Sequence, residues 1–142
     1  MKLYIAGKWD DHVALSGLAD QVEDDALHTI THRWMNKNIG LSVGYDALAD
    51  IRGVQRCEVF VAVFTDPTNP YRGTFTELGA ALATGKLVFL VCPADTDDVK
   101  FSCRTNVFFH HPHCTTLTSW GEFLQWVGVT DKNGESPKKR KF

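Results

Sequence analysis

One seven-residue segment combines a carboxylate with small residues in a pattern that suits chemistry on a sugar. Gly73-Thr74-Phe75-Thr76-Glu77-Leu78-Gly79 follows an apolar run and opens a predicted helix. We place Glu77 in the first helical turn, where the helix dipole favours an ionised carboxylate. Such a group beside a cleft is suited to attack an electrophilic sugar carbon, and Gly73 and Gly79 would admit a ligand or another element closely. A purely local stabilising role for Glu77 fits the same pattern, so both interpretations stay open.

Alternating strand and helix patterns surround this segment. Predicted strands cover Leu3–Ala6, His28–Trp34, Glu58–Phe64, Leu87–Cys92 and Asn106–His110, and predicted helices cover Asp10 or Asp11 to Leu27, Tyr45–Arg56, Thr74–Thr84 and Ser119–Val127. The alternation predicts an α/β fold with a doubly wound, about five-stranded parallel sheet and helices on both faces, of the flavodoxin or Rossmann type. A ligand site is expected at the carboxyl ends of the strands, where residues 6–11, 65–77 and 93–104 meet.

Length, charge and cysteine spacing limit the class of protein. The 142 residues suit one domain, and no run of 18 apolar residues predicts a membrane span. Residues 1–129 carry 10 Lys and Arg against 15 Asp and Glu, an acidic balance that argues against an extensive nucleic-acid surface. The four cysteines lack a C-x-x-C pair and the first residues do not read as a signal peptide, so we expect reduced thiols and a cytoplasmic location.

The imidazole-rich segment Phe108–Cys114 does not have the spacing of a metal site. Its histidines and cysteine crowd into residues 110–114, Pro112 interrupts any helical face, and no second cluster completes a zinc-finger spacing. We therefore expect no metal and no cofactor.

The C-terminal residues differ in composition from the rest. Residues 130–142 hold 5 Lys and Arg against 2 Asp and Glu and show no apolar periodicity, so we predict a domain over 1–129 and a disordered basic tail over 130–142. The stretch 136–141, SPKKRK, is similar to a nuclear localisation signal, which predicts partial nuclear import if the source cell has a nucleus.

Four stretches, taken in order, resemble the nucleoside 2-deoxyribosyltransferase family, which includes relatives that hydrolyse deoxynucleoside monophosphates. The stretches are Leu3–Trp9, Asp50–Val54, Gly73–Gly79, and Gly85–Val88 with Pro93 at the end of the strand. The similarity spans roughly residues 2 to 93 and rests on the order and spacing of the motifs together.

The resemblance implies a double displacement at C1′ of a 2′-deoxyribose. Glu77 would be the covalent nucleophile, Tyr4 would hydrogen-bond Glu77 and aim it, and Asp50 would contact or protonate the leaving base, with Asp46 one helical turn earlier as the substitute. Without the resemblance, the sequence is also consistent with Tyr4 as an aromatic residue packed in the core. Asp50 could likewise be a solvated carboxylate on the surface of a helix.

Further residues are predicted to bind substrate. Gly7 and Trp9 belong to the opening loop, where Trp9 lies within reach of a base, and Gly73 opens the nucleophile segment. Many transferases carry a sugar-binding Asp six residues before the nucleophile, and this sequence has Tyr71 there. Asn69 is one candidate for the sugar contact instead, as are Asp66 and Thr68.

A second departure from the family pattern follows Pro93. Transferases place an Asn nine residues beyond this proline, reaching a neighbouring subunit's site, and this sequence has Ser102 there. The resemblance therefore implies a homo-oligomer, dimeric or larger, and a hydroxyl at Ser102 is more similar to the phosphate-binding hydrolase relatives. Under the same implication, the C-terminal Phe142 would fold back into a neighbouring site instead of ending a disordered tail.

We expect deoxyribosyl transfer between bases of small-molecule nucleosides, a reaction of nucleotide salvage. The first alternative is a 2′-deoxynucleoside 5′-monophosphate N-hydrolase with the same nucleophile. A second, from another class, is a non-catalytic nucleotide-binding module in which Tyr71 closes the sugar pocket. TIR-like NADases share this style of fold, but the Glu-Leu-Gly context fits them less well.

Overall fold

The computed structural model of the chain describes residues 1–26, 28–36 and 43–128. Strands and helices alternate through these ranges. In chain order they are β1 (Lys2–Ala6), α1 (His12–Ala26), β2 (Thr29–Ile30), α2 (Val43–Arg56), β3 (Val59–Val63), α3 (Arg72–Ala83), β4 (Leu87–Val91), β5 (Cys114–Leu117) and α4 (Trp120–Val127).

The five strands form one parallel sheet in the order β2-β1-β3-β4-β5. This arrangement confirms the predicted doubly wound α/β fold. The chain runs outward in opposite directions from β1 and β3, so the crevice between their carboxyl ends is the topological switch point where such sheets bind ligands.

Strand β3 lies at the centre of the sheet and separates two apolar clusters. All five of its residues are buried, and they alternate between the faces as strand geometry requires. Val59, Val61 and Val63 pack with residues of α1 and α4, whereas Phe60 and Ala62 pack with residues of α2 and α3. Burial on both faces explains why the sequence of this strand is a continuous apolar run.

Two predicted strands differ from the structure. The strand predicted over His28–Trp34 is reduced to Thr29–Ile30. The strand predicted over Asn106–His110 is wrong: residues 107–110 form a 3-10 turn, in which the Asn106 side chain accepts the Phe108 N–H at 3.0 Å. The edge strand is β5 instead, and its exposed threonines gave little apolar signal.

None of the helices within the described residues is long and apolar enough to cross a membrane. The basic tail predicted over 130–142, with its localisation signal and Phe142, lies outside the described residues. The domain boundary at residue 129 stays a prediction.

Candidate active site

A cavity of about 300 Å³ lies at the carboxyl ends of β1 and β3. Its lining residues are Gly7, Lys8, Trp9, Trp34, Asp50, Asn69, Tyr71, Arg72, Gly73, Thr74 and Glu77. We call it the Glu77 cavity. Seven of the nine predicted site residues line it, the exceptions being Tyr4 and Ser102. The cavity therefore lies at the switch point that the fold predicted.

Tyr4 does not line the cavity itself but contacts Glu77, which does. The Tyr4 side chain projects from the middle of β1, is fully buried, and donates a hydrogen bond from its hydroxyl to Oε2 of Glu77. Burial, followed by the negative charge of Glu77, raises the pKa of the Tyr4 hydroxyl far above its ordinary value. Tyr4 therefore remains a neutral donor throughout the physiological pH range and holds the Glu77 carboxylate in one orientation.

The predicted position of Glu77 in the first helical turn is wrong. Helix α3 begins at Arg72, so Glu77 is its sixth residue and lies in the second turn; the first turn contains no acidic residue. The effect of the helix dipole falls off within the first turn, so it is not what orients this carboxylate. The hydrogen bond from Tyr4 orients it instead.

Asp50 lies on α2, and His32 is close to it. Nε2 of His32 is 3.2 Å from Oδ1 of Asp50, near enough for an ion pair when the imidazole is protonated. The sequence analysis did not identify His32. His32 lies inside the strand predicted over His28–Trp34, whereas the observed strand ends at Ile30. Only this shorter strand places His32 just past a carboxyl end, where sites form.

Gly53 allows α2 to approach these side chains. A Cβ atom at residue 53 would lie 2.7 Å from Cβ of His32 and 2.9 Å from Cε2 of Tyr4. No real side chain tolerates such contacts, so only glycine fits here without moving Tyr4 or His32. By contrast, a Cβ at Gly73 or Gly79 would meet no heavy atom of the described chain within 4 Å. No other element of the described chain approaches these two residues closely, and the close approach of a ligand there stays a prediction.

Tyr71 forms part of the cavity wall. Its side chain is only 3% exposed, and its ring packs edge-on against Phe64 with centroids 4.8 Å apart. Its hydroxyl accepts the backbone N–H groups of Thr65 and Asp66, each at 2.8 Å. The structure therefore holds Tyr71 beside an open cavity, which does not support the idea that it closes the sugar pocket.

Of the three residues considered for a sugar contact in the same loop, Asn69 alone lines the cavity. Its side-chain oxygen accepts the Tyr71 N–H at 2.8 Å, which leaves its amide group for other partners. Oδ1 of Asp66 accepts from the backbone N–H and the hydroxyl of Thr68, at 3.0 and 3.1 Å. Those hydrogen bonds, from the backbone N–H first, lower the pKa of the Asp66 carboxyl.

Two cationic side chains that the sequence analysis missed also line the cavity. Nζ of Lys8 is 3.2 Å from Oδ1 of Asp11, whose other oxygen accepts from the Thr65 hydroxyl at 2.5 Å. Arg72 is the first residue of α3 and exposed. Both follow strand ends in the sequence, which is the signal that would have identified them.

The ring of Trp9 is stacked on the imidazole of His12, with centroids 4.2 Å apart and planes inclined by 5°. His12 thus covers one face of the indole, and the ring of Trp34 is tilted by 49° against Trp9 with centroids 6.3 Å apart. Ser102, the ninth predicted site residue, is not brought to this cavity. It is exposed and lines a separate depression with Pro70 and Phe75. Its predicted contact with a neighbouring copy's substrate stays a prediction, as does the homo-oligomer.

Among the described residues, no group of three or more His, Cys, Asp or Glu is arranged to hold a metal ion. What the cavity contains is a carboxylate fixed by a neutral phenol, a second carboxylate beside an imidazole, and two cations. Together with the switch point of a doubly wound sheet, this describes a site for group transfer on a small polar ligand.

Comparison with known proteins gives the family. The nucleoside 2-deoxyribosyltransferase family matches residues 45–115, half of the chain, and that range includes Asp50, Tyr71 and Glu77. No curated protein sequence matches significantly.

Two solved structures share the fold. The 2-deoxyribosyltransferase of Leishmania mexicana has a TM-score of 0.64 and 20% identity, with 89% of this chain and 97% of that chain covered. The CMP N-glycosidase BcmB of Clostridium botulinum has a TM-score of 0.59 and 17% identity, with 90% and 98% covered.

This chain belongs to the nucleoside 2-deoxyribosyltransferase family. It is accordingly an enzyme of the nucleoside deoxyribosyltransferase type, from a family that acts on nucleosides.

Proposed function

We propose that this enzyme cleaves the N-glycosidic bond of a 2′-deoxynucleoside by double displacement at Glu77 and transfers the deoxyribosyl group to an acceptor base. The observation that carries the proposal is the hydrogen bond from the buried Tyr4 hydroxyl to Glu77 at the wall of the cavity. A nucleophile held in one orientation before the substrate arrives avoids the entropic cost of orienting it in the transition state.

The first displacement forms the covalent intermediate. An oxygen of Glu77 bonds to C1′ while the bond between C1′ and the base nitrogen breaks, through an oxocarbenium-like transition state. The electron pair of the broken bond departs with the base, which takes up a proton. We assign this proton transfer to Asp50, which enters the step as the carboxylic acid and leaves it as the carboxylate; it lines the same cavity and has His32 beside it.

The second displacement releases the sugar. A nitrogen of the acceptor base attacks C1′, Glu77 departs as a carboxylate, and the proton of the acceptor returns to Asp50. When water replaces the acceptor base, the same step gives free 2-deoxyribose. Transfer and hydrolysis therefore share one intermediate and differ in which acceptor occupies the cavity.

A 2′-deoxynucleoside 5′-monophosphate N-hydrolase is the second candidate, and one observation favours it. Lys8 and Arg72 both line the Glu77 cavity, and Arg72 opens α3. Cationic side chains beside a helix N-terminus suit a phosphate group. One structural relative is, by name, a CMP N-glycosidase, but Ser102, the predicted phosphate ligand, does not line this cavity.

One experiment tests the nucleophile and separates the two candidates. The protein is incubated with 2′-deoxynucleosides and with their 5′-monophosphates, with and without a second free base, and the products are separated by chromatography. Transfer predicts a new nucleoside that contains the added base; hydrolysis predicts a free sugar or sugar phosphate in both conditions.

The same incubations include a Glu77→Ala variant, and intact-mass measurement follows rapid quenching of the active protein. We expect a loss of several orders of magnitude in turnover for Glu77→Ala with the fold retained, and a mass increase of one deoxyribosyl group on the active protein. Near wild-type turnover of Glu77→Ala would refute the proposal.

A further inference from the structure

Cys92 and Cys103 form a pair of buried thiols that the proposed reaction does not use. Cys92 directly follows β4, and Cys103 lies in a 3-10 turn over Ser102–Thr105. Their Sγ atoms are 3.8 Å apart, and the two residues are 0% and 4% exposed. All four cysteines are free thiols. The two sulfur atoms are hydrogen-bonded, and a shift of about 1.8 Å would bring them to the length of a disulfide bond.

Arg104 fixes the backbone around this pair and influences its charge. Its Nη2 donates to the carbonyl oxygens of Cys92 and Pro93, at 3.0 and 2.9 Å. The hydrogen bond from Cys103 lowers the pKa of the Cys92 thiol; burial opposes this effect, and the charge of Arg104 adds to it. The same hydrogen bond raises the pKa of the Cys103 thiol. Loss of one proton therefore leaves a thiolate within the pair, and the thiolate is the form that reacts with oxidants.

Cys103 is the member of the pair that a small molecule can reach. It lines a depression of about 280 Å³ together with Pro70, Phe75 and Ser102, among others. None of the residues that line this depression lines the Glu77 cavity. Cys92 is fully buried. With only 4% of Cys103 exposed, a peroxide fits this access better than a bulky disulfide compound does.

The turn that carries Cys103 is connected to the wall of the Glu77 cavity. The Ser102 N–H donates to the carbonyl oxygen of Pro67 at 2.8 Å. Two residues further along the same loop, Asn69 lines the cavity. A displacement of the turn therefore acts on a loop that contributes to the site.

We propose that Cys92 and Cys103 are a redox switch, in which a hydroperoxide oxidises the pair to a disulfide and a thiol reductant restores it. The disulfide draws the Cys103 turn toward the end of β4 and pulls Ser102 away from Pro67. Turnover at the Glu77 cavity then falls. Only this last consequence rests on the proposed function; formation of the disulfide does not.

The oxidation proceeds in two displacements. Transfer of the shared proton to Cys92 places the thiolate on Cys103, which attacks one oxygen of hydrogen peroxide. The O–O bond breaks, Cys103 becomes a sulfenic acid, and the departing hydroxide takes the proton of Cys92. The Cys92 thiolate then attacks the sulfenic sulfur, the S–O bond breaks, and the second hydroxide takes up the proton that the pair first released. Two thiols and one peroxide thus give one disulfide and two waters.

The first test maps the disulfide directly. The unchanged protein is treated with hydrogen peroxide, its remaining thiols are alkylated, and it is digested with trypsin without reduction. Cleavage after Lys100 separates the two cysteines into peptides 87–100 and 101–104. We expect these peptides joined and lighter by two hydrogens than their sum, with Cys57 and Cys114 alkylated. Absence of the joined peptides overturns the inference.

The second test measures the effect of the disulfide on turnover. We expect oxidation to lower turnover about tenfold or more, since displacements of about 1 Å at a site cost up to 100-fold, and dithiothreitol to restore it. Dithiothreitol does not reverse methionine or sulfinic acid oxidation. Cys103→Ser should keep its turnover in peroxide, whereas the matched double variant Cys57→Ser, Cys114→Ser should respond like the unchanged protein. Equal loss in Cys103→Ser overturns the inference.

A third measurement needs neither a variant nor a substrate. Hydrogen exchange of the oxidised and the reduced unchanged protein is compared over residues 65–71 and 101–105. We expect faster exchange in both segments after oxidation, because the Ser102 N–H loses its acceptor. Unchanged exchange in a protein that carries the disulfide overturns the switch. If Glu77→Ala retains turnover, the proposed function fails, and the peptide map and the exchange still decide this inference.

Discussion

The hydroxyl of Tyr4, in β1, donates a hydrogen bond to Glu77, in α3, although 73 positions separate the two residues in the sequence. The contact joins the first strand to the helix that follows the central strand. It places a neutral donor on a carboxylate beside a cavity. The predictions below concern the groups that fix this pair and the residues that share the cavity with it.

Tyr4→Phe should lower kcat about 10- to 100-fold while KM changes little, since a hydrogen bond to a charged group contributes about 1.5–3 kcal/mol. The ring remains packed in the core, so the thermal unfolding temperature should show a smaller effect than the turnover. Steady-state kinetics measures the change. Tyr45→Phe is the control because Tyr45 is 75% exposed on α2; a loss of similar size in that variant would contradict a specific role for Tyr4.

Tyr4 should also make stability fall at alkaline pH. Its pKa is raised in the folded chain, chiefly by burial and next by Glu77, so below about pH 10 both folded and unfolded chains hold the proton and nothing changes. Above that pH the unfolded chain releases the proton and the folded chain keeps it. This one group then lowers the free energy of unfolding by about 1.4 kcal/mol per pH unit.

Urea unfolding of the unchanged protein and of Tyr4→Phe between pH 9 and about 11 measures this contribution. The phenylalanine variant should lose stability less steeply, by the slope that corresponds to one proton. Identical slopes for the two proteins would show that Tyr4 ionises equally in the folded and unfolded chains.

Gly53→Ala should reduce turnover although alanine favours helices. The added Cβ meets the ring of Tyr4 and the Cβ of His32, so Tyr4 has to move and the Glu77 carboxylate loses its fixed orientation. We expect a loss of at least tenfold in kcat, since misplacement of about 1 Å costs up to 100-fold. Gly17→Ala in α1 is the control, because its Cβ meets no atom within 4 Å; turnover there should be unchanged and stability slightly raised.

Asp50→Asn should slow the reaction most for bases that need a proton in order to depart. We expect a loss of about 10²–10⁴ in kcat/KM on ordinary nucleosides, the usual contribution of general acid–base catalysis. For an activated deoxyriboside, whose leaving group needs no proton, kcat/KM should fall far less. Asp46→Asn, one helical turn earlier, is the control for charge on α2. Equal losses on both leaving groups would argue that Asp50 only supports the structure.

Arg72→Gln should separate nucleotide from nucleoside substrates. If the enzyme binds a 5′-phosphate, removing this guanidinium should weaken binding of the monophosphate about 10- to 100-fold and leave the nucleoside unaffected. Arg52→Gln is the control, since Arg52 is exposed on α2 and lines a different depression. Calorimetry on both ligands measures the difference. A uniform effect on the two ligands would favour the nucleoside transferase.

The sequence by itself determined the architecture and the position of the reactive segment. The continuous apolar runs of β3 and β4 are local signals that require burial on both faces, and alternation with helices then leaves few topologies. The fold in turn fixed the switch point. Glu77 was singled out from its own segment and Trp9 from the opening loop, whereas Asp50 and Tyr71 were identified from the resemblance to the family. All four line one cavity.

Only the tertiary structure decided how those residues are oriented. The start of α3 depends on the Tyr71 backbone and on hydrogen bonds from the end of β3, and this start places Glu77 in the second turn. His32 and Gly53 come close to Tyr4 only because α2 packs against β1, so their role cannot be seen in the sequence. Patterns of hydrophobic spacing report which face of an element is buried, but not which side chain of a distant element it meets. The contacts that orient Glu77 join residues far apart in the chain, and for that reason they could not be read from local sequence.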